Sequence, residues 1–196
     1  MRLLRRRRTP GPTPKRLLGL DASLNSTGYA FFTDGGELVT DRIRSADKKG
    51  SARLHHNLTQ LQALLNRVKP DVIVLEGYAM GGKGLVFQIG EWGGLIRLEA
   101  WKRGIDVLTI APNTLKYAAT ASGAAKKPQM AAACVELFDT TITQDDEADA
   151  FLLLKAGEAY LYKVGPKDFV HRVLNPANPK KPGYSTEPGA RVAVCT

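Results

Sequence analysis

Cysteine is scarce in this chain, and long apolar runs are missing. The two cysteines among 196 residues, Cys134 and Cys195, have neither the spacing of zinc ligands nor that of a redox-active pair. No apolar run reaches the roughly 20 residues that cross a bilayer, and the N-terminal arginines are not followed by the apolar region of a signal peptide. We therefore expect a protein without a membrane-spanning segment that works in the cytoplasm.

Acidic residues are missing from the first 16 positions, which hold seven Arg or Lys. Residues 163–196 are also basic, with six Arg or Lys against two acidic residues, whereas the middle of the chain is slightly acidic. A basic arm on such a core favours a polyanionic partner held through its phosphates, although a solvated tail explains a run of arginines equally well. The candidate DNA contacts in this arm are Arg5, Arg6, Arg7 and Arg8.

Length and composition predict one folded domain with tails. An apolar content of 43% lets a chain of this length bury one sizeable core, and a second full domain is not expected. We expect a basic disordered arm over residues 1–15, the folded domain over 16–162 and a basic, Pro-rich tail over 163–196. Little packed structure is expected in that tail because it contains Pro166, Pro176, Pro179, Pro182 and Pro188.

Apolar periodicity predicts three strands followed by alternating helices and strands. Turn residues divide residues 16–43 into an antiparallel meander, and leucines at helical spacing predict a helix over residues 51–68. The continuous run from Val72 to Leu75 suits a strand buried on both faces. Further helices are predicted over 87–103, from Pro112, over 128–138 and over 146–161, with a short strand over 107–110. This order describes an α/β fold in which helices cover both faces of a mixed five-stranded sheet, the plan of a ribonuclease H-like domain.

Four acidic residues stand at the ends of these predicted core elements. Asp21 ends the first strand and Glu76 ends the fourth, while two more carboxylates open the last helix. Hard cations such as Mg²⁺ take oxygen ligands, and two ions about 4 Å apart can stabilise both oxygens of a phosphodiester displacement. The pattern predicts a metal-dependent nuclease whose catalytic and metal-binding residues are Asp21, Glu76, Asp146 and Asp149.

Each of these carboxylates also has a simpler explanation. An Asp at the end of a strand often forms a turn or caps a helix, whereas an acid that ends a buried strand, such as Glu76, needs a partner. Asp146 and Asp149 are three residues apart and share one face of the helix, so both can reach one metal ion. Asp145 points away from that face, and it stays an alternative to Asp146.

Two groups of residues resemble RuvC-type Holliday junction resolvases. Residues 19–28, Gly-Leu-Asp-Ala-Ser-Leu-Asn-Ser-Thr-Gly, resemble the first strand and turn of that family in the form found in phage members. Lys116, Gly123, Lys127 and Gln129 match the family's Lys, Gly and Lys-x-Gln in order and spacing. The family also carries an Asp, a Glu and an Asp-x-x-Asp at the positions of the four carboxylates. The resemblance covers about residues 17–160.

This resemblance implies an activity, a cofactor and an assembly. It implies an endonuclease that resolves four-way (Holliday) DNA junctions in recombination and repair by paired symmetric nicks, with two Mg²⁺ ions per active site and Mn²⁺ able to substitute. No nucleotide cofactor is expected. The family acts as a homodimer through the helix after the fourth strand, here residues 87–101, from Phe87 to Trp101. We expect Ile89, Trp92, Ile96 and Ala100 to supply its apolar face, although packing onto its own sheet is the plainer alternative.

The resemblance also suggests contacts to the branched DNA. Lys116 and Lys127 stand where the family approaches the DNA backbone. Bacterial members place an aromatic residue three positions after the fourth-strand Glu, and here Tyr78 stands beside that position, which is Ala79. Lys83 lies in the glycine-rich segment 77–84, a candidate loop over the substrate.

Three other functions remain open at this stage. A different ribonuclease H-like nuclease, acting on flaps, replication intermediates or RNA, would carry the same carboxylates. Residues 21–28 faintly resemble the phosphate loop of actin-like ATPases, but the chain is too short for the second domain that clamps the nucleotide. A non-catalytic module that binds junctions without cutting them is the third. Cleavage of four-way, flap and hybrid substrates, with and without divalent metal, would discriminate among them.

Overall fold

The computed structural model of the protein describes residues 15–45, 47–78, 86–176 and 184–187. Within these ranges, no helix is long and apolar enough to cross a membrane. The strands are β1 (Leu17–Asp21), β2 (Ser26–Phe32), β3 (Leu38–Arg44), β4 (Val72–Glu76), β5 (Asp106–Ile110) and β6 (Tyr184–Glu187). The helices are α1 (Gly50–Val68), α2 (Val86–Lys102), α3 (Pro112–Thr120), α4 (Lys127–Phe138), α5 (Asp145–Tyr162) and α6 (Lys167–Leu174).

The strands form one mixed sheet in the order β3-β2-β1-β4-β5-β6. The first three strands make the predicted antiparallel meander, and β1, β4 and β5 are parallel to one another. Strand β6 pairs antiparallel with β5 at the edge of the sheet. The mixed sheet is therefore confirmed, with one strand more than the five predicted.

Helices cover both faces of the sheet and divide the core in two. One cluster joins α3, α4, α5 and α6 to residues such as Val72 and Val74 of β4. The other joins α1 and α2 to the alternate residues of the same strand, Ile73 and Leu75. Because successive strand side chains point to opposite faces, a strand buried on both sides must be apolar throughout. This explains the unbroken apolar run of β4.

The chain beyond Lys163 contains more packed structure than its prolines predicted. Phe169 and Val173 of α6 are fully buried, and the Phe169 ring meets that of Phe138 edge to face at 5.1 Å between centroids. Pro166 is the N-cap of α6 and does not break the helix. The backbone N–H groups at a helix start have no partner within the helix, so the N–H that proline lacks is not needed there. The expectation of a tail with little packed structure is therefore wrong for residues 167–174 and 184–187.

Helix α2 packs onto its own sheet with the same apolar face that was predicted to be free for dimerisation. Trp92, Ile96 and Ala100 are fully buried in the core beside α1 and β4. The prediction that they supply a face for dimerisation is wrong, because they complete the monomer core. Phe87 and Trp101, by contrast, are exposed on the opposite side of the helix.

Helix α5 approaches the sheet closely because two strand positions lack a side chain. A β-carbon on Gly19 of β1 would overlap the carbonyl oxygen of Ala150 and lie 2.8 Å from the backbone nitrogen of Leu154. A β-carbon on Gly28 of β2 would overlap the carbonyl group of Asp146. These atoms belong to the helix backbone, so they cannot move away alone. The two glycines therefore fix how near α5 lies to β1 and β2.

Replacing Gly19 by Ala should destabilise the fold by displacing α5 from β1. Overpacking of this kind costs about 1–3 kcal/mol, which lowers the melting temperature of a chain this size by several degrees. Thermal unfolding followed by circular dichroism measures the change. Gly35→Ala is the control, since a β-carbon at Gly35 would meet only Thr33 Oγ1 at 3.6 Å, an ordinary contact. Equal melting temperatures for the two variants would contradict the close approach.

Candidate active site

The first two predicted carboxylates end adjacent parallel strands. Leu20 of β1 pairs with Leu75 of β4, so the next residues, Asp21 and Glu76, emerge side by side at the carboxyl edge of the sheet. Asp21 is buried with 7% of its surface exposed, and Glu76 is partly buried. Besides burial, the charge on Glu76 raises the pKa of the Asp21 carboxyl, so the two groups act on each other directly. This pairing follows directly from the strand register.

Helix α5 brings the other two carboxylates to the same edge. Gly28 pairs directly with Asp21 across β1 and β2, and the backbone of Asp146 lies against Gly28. The charges of Asp146 and Asp149 both act on the Asp21 carboxyl. The structure thus gathers the four carboxylates singled out from the sequence at one end of the sheet.

The turn between β1 and β2 is held by hydroxyl groups. Thr27 Oγ1 donates to the carbonyl oxygen of Ser23 at 2.8 Å, and Ser23 Oγ donates to the carbonyl oxygen of Ser26 at 2.9 Å. Trp92 of α2 donates from its indole nitrogen to Thr27 Oγ1 at 2.9 Å, in a buried contact. The Ser and Thr of the turn motif therefore fix the chain that follows Asp21.

Burial and mutual repulsion dominate the electrostatics of this group. Burial raises the pKa of the Asp21 carboxyl well above its ordinary value, and the neighbouring carboxylates raise it further. Burial and the charge on Asp149 raise the pKa of Glu76 to about 7. Burial is also the main reason that the pKa of Asp149 rises to about 6. Asp21, Glu76 and Asp149 are thus held where their ionised forms are unfavourable without a cation.

Direct cationic partners are absent from this group within the described ranges. None of the ion pairs there includes Asp21, Glu76, Asp146 or Asp149. In the same part of the chain, no three His, Cys, Asp or Glu side chains are arranged so that they could hold a metal ion as they stand. The donor chemistry of the four carboxylates nonetheless matches a hard cation, which takes oxygen ligands.

The remaining acidic residues at the start of α5 have other partners. Asp145 pairs with Lys127 Nζ at 3.3 Å. Glu147 pairs with Arg42 Nε at 3.3 Å and accepts a hydrogen bond from Thr40 Oγ1 at 2.9 Å. These contacts favour Asp146 over Asp145 as a ligand, and that assignment stays a prediction.

Two predicted DNA-binding lysines lie beside the carboxylates. The charge of Lys116, on α3, lowers the pKa of both Glu76 and Asp149 without forming an ion pair with either. Burial tends to lower the pKa of Lys127, but Asp145 and the neighbouring acids raise it overall. The structure therefore brings both lysines to the site that sequence spacing assigned to them.

Tyr78 lies at the site together with a residue that sequence reasoning missed. A cavity of about 130 Å³ is lined by Asp21, Glu76, Tyr78 and Arg97, among other residues. Arg97 stands on α2, and its only sequence signal was a cation in a largely apolar helix. The predicted contacts Lys83, Arg5, Arg6, Arg7 and Arg8 lie outside the described residues and stay predictions.

Comparison with known proteins identifies the family. The family model described as crossover junction endodeoxyribonuclease RuvC matches residues 17–154. The chain belongs to the RuvC family. The matched range holds all four carboxylates and both lysines, and it agrees with the resemblance drawn from the sequence.

Individual RuvC relatives agree with this result. A crossover junction endodeoxyribonuclease RuvC of Acidiphilium cryptum (strain JF-5) is 32% identical over 146 residues, covering 71% of this chain and 87% of the relative. Thermus thermophilus RuvC in complex with a Holliday junction substrate has a TM-score of 0.61 at 17% identity, covering 72% of this chain and 91% of that one. Fowlpox virus resolvase with Holliday junction DNA has a TM-score of 0.52 at 16% identity, covering 74% and 99%. These likenesses confirm the predicted ribonuclease H-like fold.

Removing one carboxylate should stabilise the metal-free protein at high pH. The pKa of Glu76 is raised in the folded state, so folded protein keeps a proton that unfolded protein loses between about pH 4 and pH 7, and stability falls as pH rises through that window. Glu76→Gln avoids this loss. In EDTA at pH 8 we expect it to be more stable than wild type by on the order of 2 kcal/mol, with little difference at pH 4.

Thermal unfolding at the two pH values measures this effect. Glu136→Gln, on the exposed surface of α4, is the matched control and should change neither value. A Glu76→Gln variant that is less stable than wild type at pH 8 would contradict the cost of keeping an ionised Glu76 buried beside Asp149.

Proposed function

We propose that this protein is an endonuclease that resolves four-way DNA junctions by paired symmetric nicks. The observation that carries the proposal is the gathering of Asp21, Glu76, Asp146 and Asp149 at one edge of the sheet in a chain of the RuvC family. The names of its relatives, crossover junction endodeoxyribonuclease and resolvase, support the same substrate. Such an enzyme would act in recombination and repair in the cytoplasm of a bacterial or phage-infected cell.

The carboxylates are proposed to hold two Mg²⁺ ions, with Mn²⁺ able to substitute. Their fit to hard cations rests on their oxygen chemistry, on the raised pKa values of three of them, and on the lack of ion-pair partners in the described part of the chain. Asp21, on whose carboxyl the charges of the other three all act, would hold the ions, together with Glu76, Asp146 and Asp149. Bound metal would supply a hydroxide nucleophile and stabilise the departing oxygen.

The neighbouring side chains are proposed to bind and orient the DNA. Lys116 carries a positive charge close to Glu76 and Asp149, where a phosphate diester would enter. Lys127 can exchange its exposed ion pair with Asp145 for a phosphate oxygen, because a surface pair of this kind contributes little stability. Tyr78, with 39% of its surface exposed, is proposed to contact bases near the junction centre.

The homodimer is proposed to form through the exposed face of α2. Apolar residues alternate there with glycines at helical spacing, and a β-carbon on either glycine would meet nothing within 4 Å. Two such faces can approach closely around a twofold axis, which places two active sites on one junction. We call this face the α2 stripe, and it consists of Phe87, Gly90, Gly94, Leu98 and Trp101.

Loss of single carboxylates tests the proposed chemistry. Asp21→Asn, Glu76→Gln and Asp149→Asn should each slow the cutting of a synthetic four-way junction in Mg²⁺ by at least roughly 100-fold, since each removes a metal ligand. Binding of the junction in EDTA, measured by fluorescence anisotropy, should stay equal or become tighter because negative charge is removed. Glu136→Gln serves as the control.

Near-normal turnover in any one variant would remove that residue from the ligand set. Efficient cutting of flaps or RNA–DNA hybrids, with no cutting of four-way junctions by the wild type, would instead favour the alternative ribonuclease H-like nuclease.

A charge in the α2 stripe tests the assembly. Leu98→Asp places two carboxylates at the proposed twofold interface, where both would lose water, so we expect a folded monomer. Sedimentation velocity reports the mass, and a supercoiled cruciform plasmid should yield nicked circles in place of linear product. Val135→Asp on α4 is the control, because Val135 is 46% exposed and Leu98 is 45% exposed. A dimeric Leu98→Asp variant that makes paired nicks would place the interface elsewhere.

A further inference from the structure

The guanidinium group of Arg97 joins three parts of the fold that are distant in sequence. Its Nη1 donates to the Tyr78 hydroxyl oxygen at 3.0 Å, and its Nη2 donates to Thr109 Oγ1 at 3.2 Å. Its Nε donates to Glu187 Oε1 at 2.9 Å, which forms an ion pair. A planar guanidinium with five fixed donors is suited to hold several partners at once. Arg97 thereby connects α2 to the segment after β4, to β5 and to β6.

These contacts fix the side chain of Tyr78. The Arg97 guanidinium carbon lies 5.1 Å from the centroid of the Tyr78 ring, a favourable distance for a cation and an aromatic face. A β-carbon on Gly93 would overlap the Tyr78 hydroxyl, so the ring lies directly on the surface of α2. One side of the ring is therefore held by the protein, while the rest is open to solvent.

The Tyr78 ring lies close enough to the carboxylates to contact a base beside the phosphate that they would act on. Tyr78 follows Glu76 by two residues, and both line the cavity that also contains Asp21 and Arg97. A ring held beside the carboxylates can stack on or wedge against a base while the adjoining phosphate occupies the catalytic group. A freely rotating ring would have to be ordered when DNA binds, which lowers affinity.

Arg97 depends on Glu187 for its orientation. The Arg97 side chain is 20% exposed, so its charge needs a counterion. Glu187 is the carboxylate that forms an ion pair with it in the described residues. Without Glu187, the carboxylates of Asp21 and Glu76 on the wall of the same cavity become alternative partners. An Arg97 turned toward them would leave Tyr78 and compete with a cation.

Strand β6 holds Glu187 independently of this ion pair. Its four residues pair with β5, from Tyr184 opposite Ile110 to Glu187 opposite Val107. The Tyr184 ring also stacks on Tyr160 of α5 at 4.9 Å between centroids. The sheet thus fixes the backbone of Glu187. From this position the Glu187 carboxylate reaches Arg97 on α2.

We propose that Arg97 is a positioning residue for junction recognition and that Glu187 of β6 holds it so that Tyr78 presents a fixed aromatic ring to branched DNA. This inference rests on the proposed function, because it assigns a specificity role within the same site. The C-terminal strand is then part of the recognition apparatus, although it lies far from the carboxylates in sequence.

Binding without metal tests the inference apart from cleavage. Tyr78→Ala, Arg97→Gln, Glu187→Gln and the double variant of Tyr78 and Arg97 are titrated in EDTA against a fluorescent four-way junction and a linear duplex of the same arm sequence. Each single variant should lower the ratio of junction affinity to duplex affinity about five- to tenfold, as for the loss of one ordered contact. The double variant should be no worse than Tyr78→Ala, since the two residues act as one unit.

Two further variants separate positioning from general stability. Asp34→Asn breaks a surface ion pair with Arg16 at the opposite end of β1, where the two charged groups are 4.0 Å apart, and it should leave the ratio unchanged. Arg97→Lys keeps the charge but not the planar fork, so it should restore part of the loss seen in Arg97→Gln. If Arg97→Gln does not fold, Glu187→Gln carries the test, because the Glu187 side chain is 48% exposed.

Two results would overturn the positioning role. One is a ratio that Tyr78→Ala lowers but Glu187→Gln leaves at the wild-type value. The other is additive loss in the double variant, which would mean that Arg97 acts on the DNA separately from Tyr78. A wild-type protein that shows no preference for the junction would overturn the proposed function itself, and this outcome is distinct from the other two.

Discussion

The architecture depends on the short distance between α5 and the two strands beneath it. Gly19 and Gly28 leave room for the helix backbone itself, so α5 lies lower on the sheet than a helix facing ordinary side chains. Its apolar middle is completely buried there, and α3, α4 and α6 pack in the same cluster. The same short distance sets the first turn of α5 beside the end of β1. Packing of the core and assembly of the candidate site therefore have one cause.

The grouping of the carboxylates at the edge of the sheet lowers the stability of the fold in exchange for a site that can bind cations. Carboxylates that are partly buried and close together repel one another, and the fold must offset that repulsion whenever no cation is bound. Lys116 and Lys127 offset part of it from a distance. Stronger compensation, such as a direct ion pair with Asp21, would occupy the oxygens that a metal needs. An enzyme that binds metal cations needs carboxylates without cationic side-chain partners. The stability of the apolar core beneath the site offsets the cost of their repulsion.

The sequence predicted the elements whose signals are local and missed those that depend on distant partners. Continuous apolar residues located β4, and carboxylates at strand ends located the site, because parallel strands necessarily bring their carboxyl ends together. The face of α2 was misassigned because that helix carries apolar residues on both sides, so periodicity alone does not say which side the sheet takes. Strand β6 was missed because its four residues, between Pro182 and Pro188, are too few to show a strand pattern, and it forms by pairing with the edge of β5. The role of Arg97 was missed because its partners lie in three other elements, which only the fold brings together around it.

The two outermost strands also bear on how this protein behaves at high concentration. An open sheet presents unpaired backbone groups along its edges, and these can recruit a strand from another molecule. Here one edge is β3, which carries Asp41, Arg42 and Arg44, and the other is the four-residue β6, whose last three residues are exposed and polar. The charged residues of β3 disfavour pairing with a strand of another molecule. The short length and polar residues of β6 disfavour it at the other edge. Because β6 pairs with β5, the backbone groups on that side of β5 are not open to a strand from another molecule.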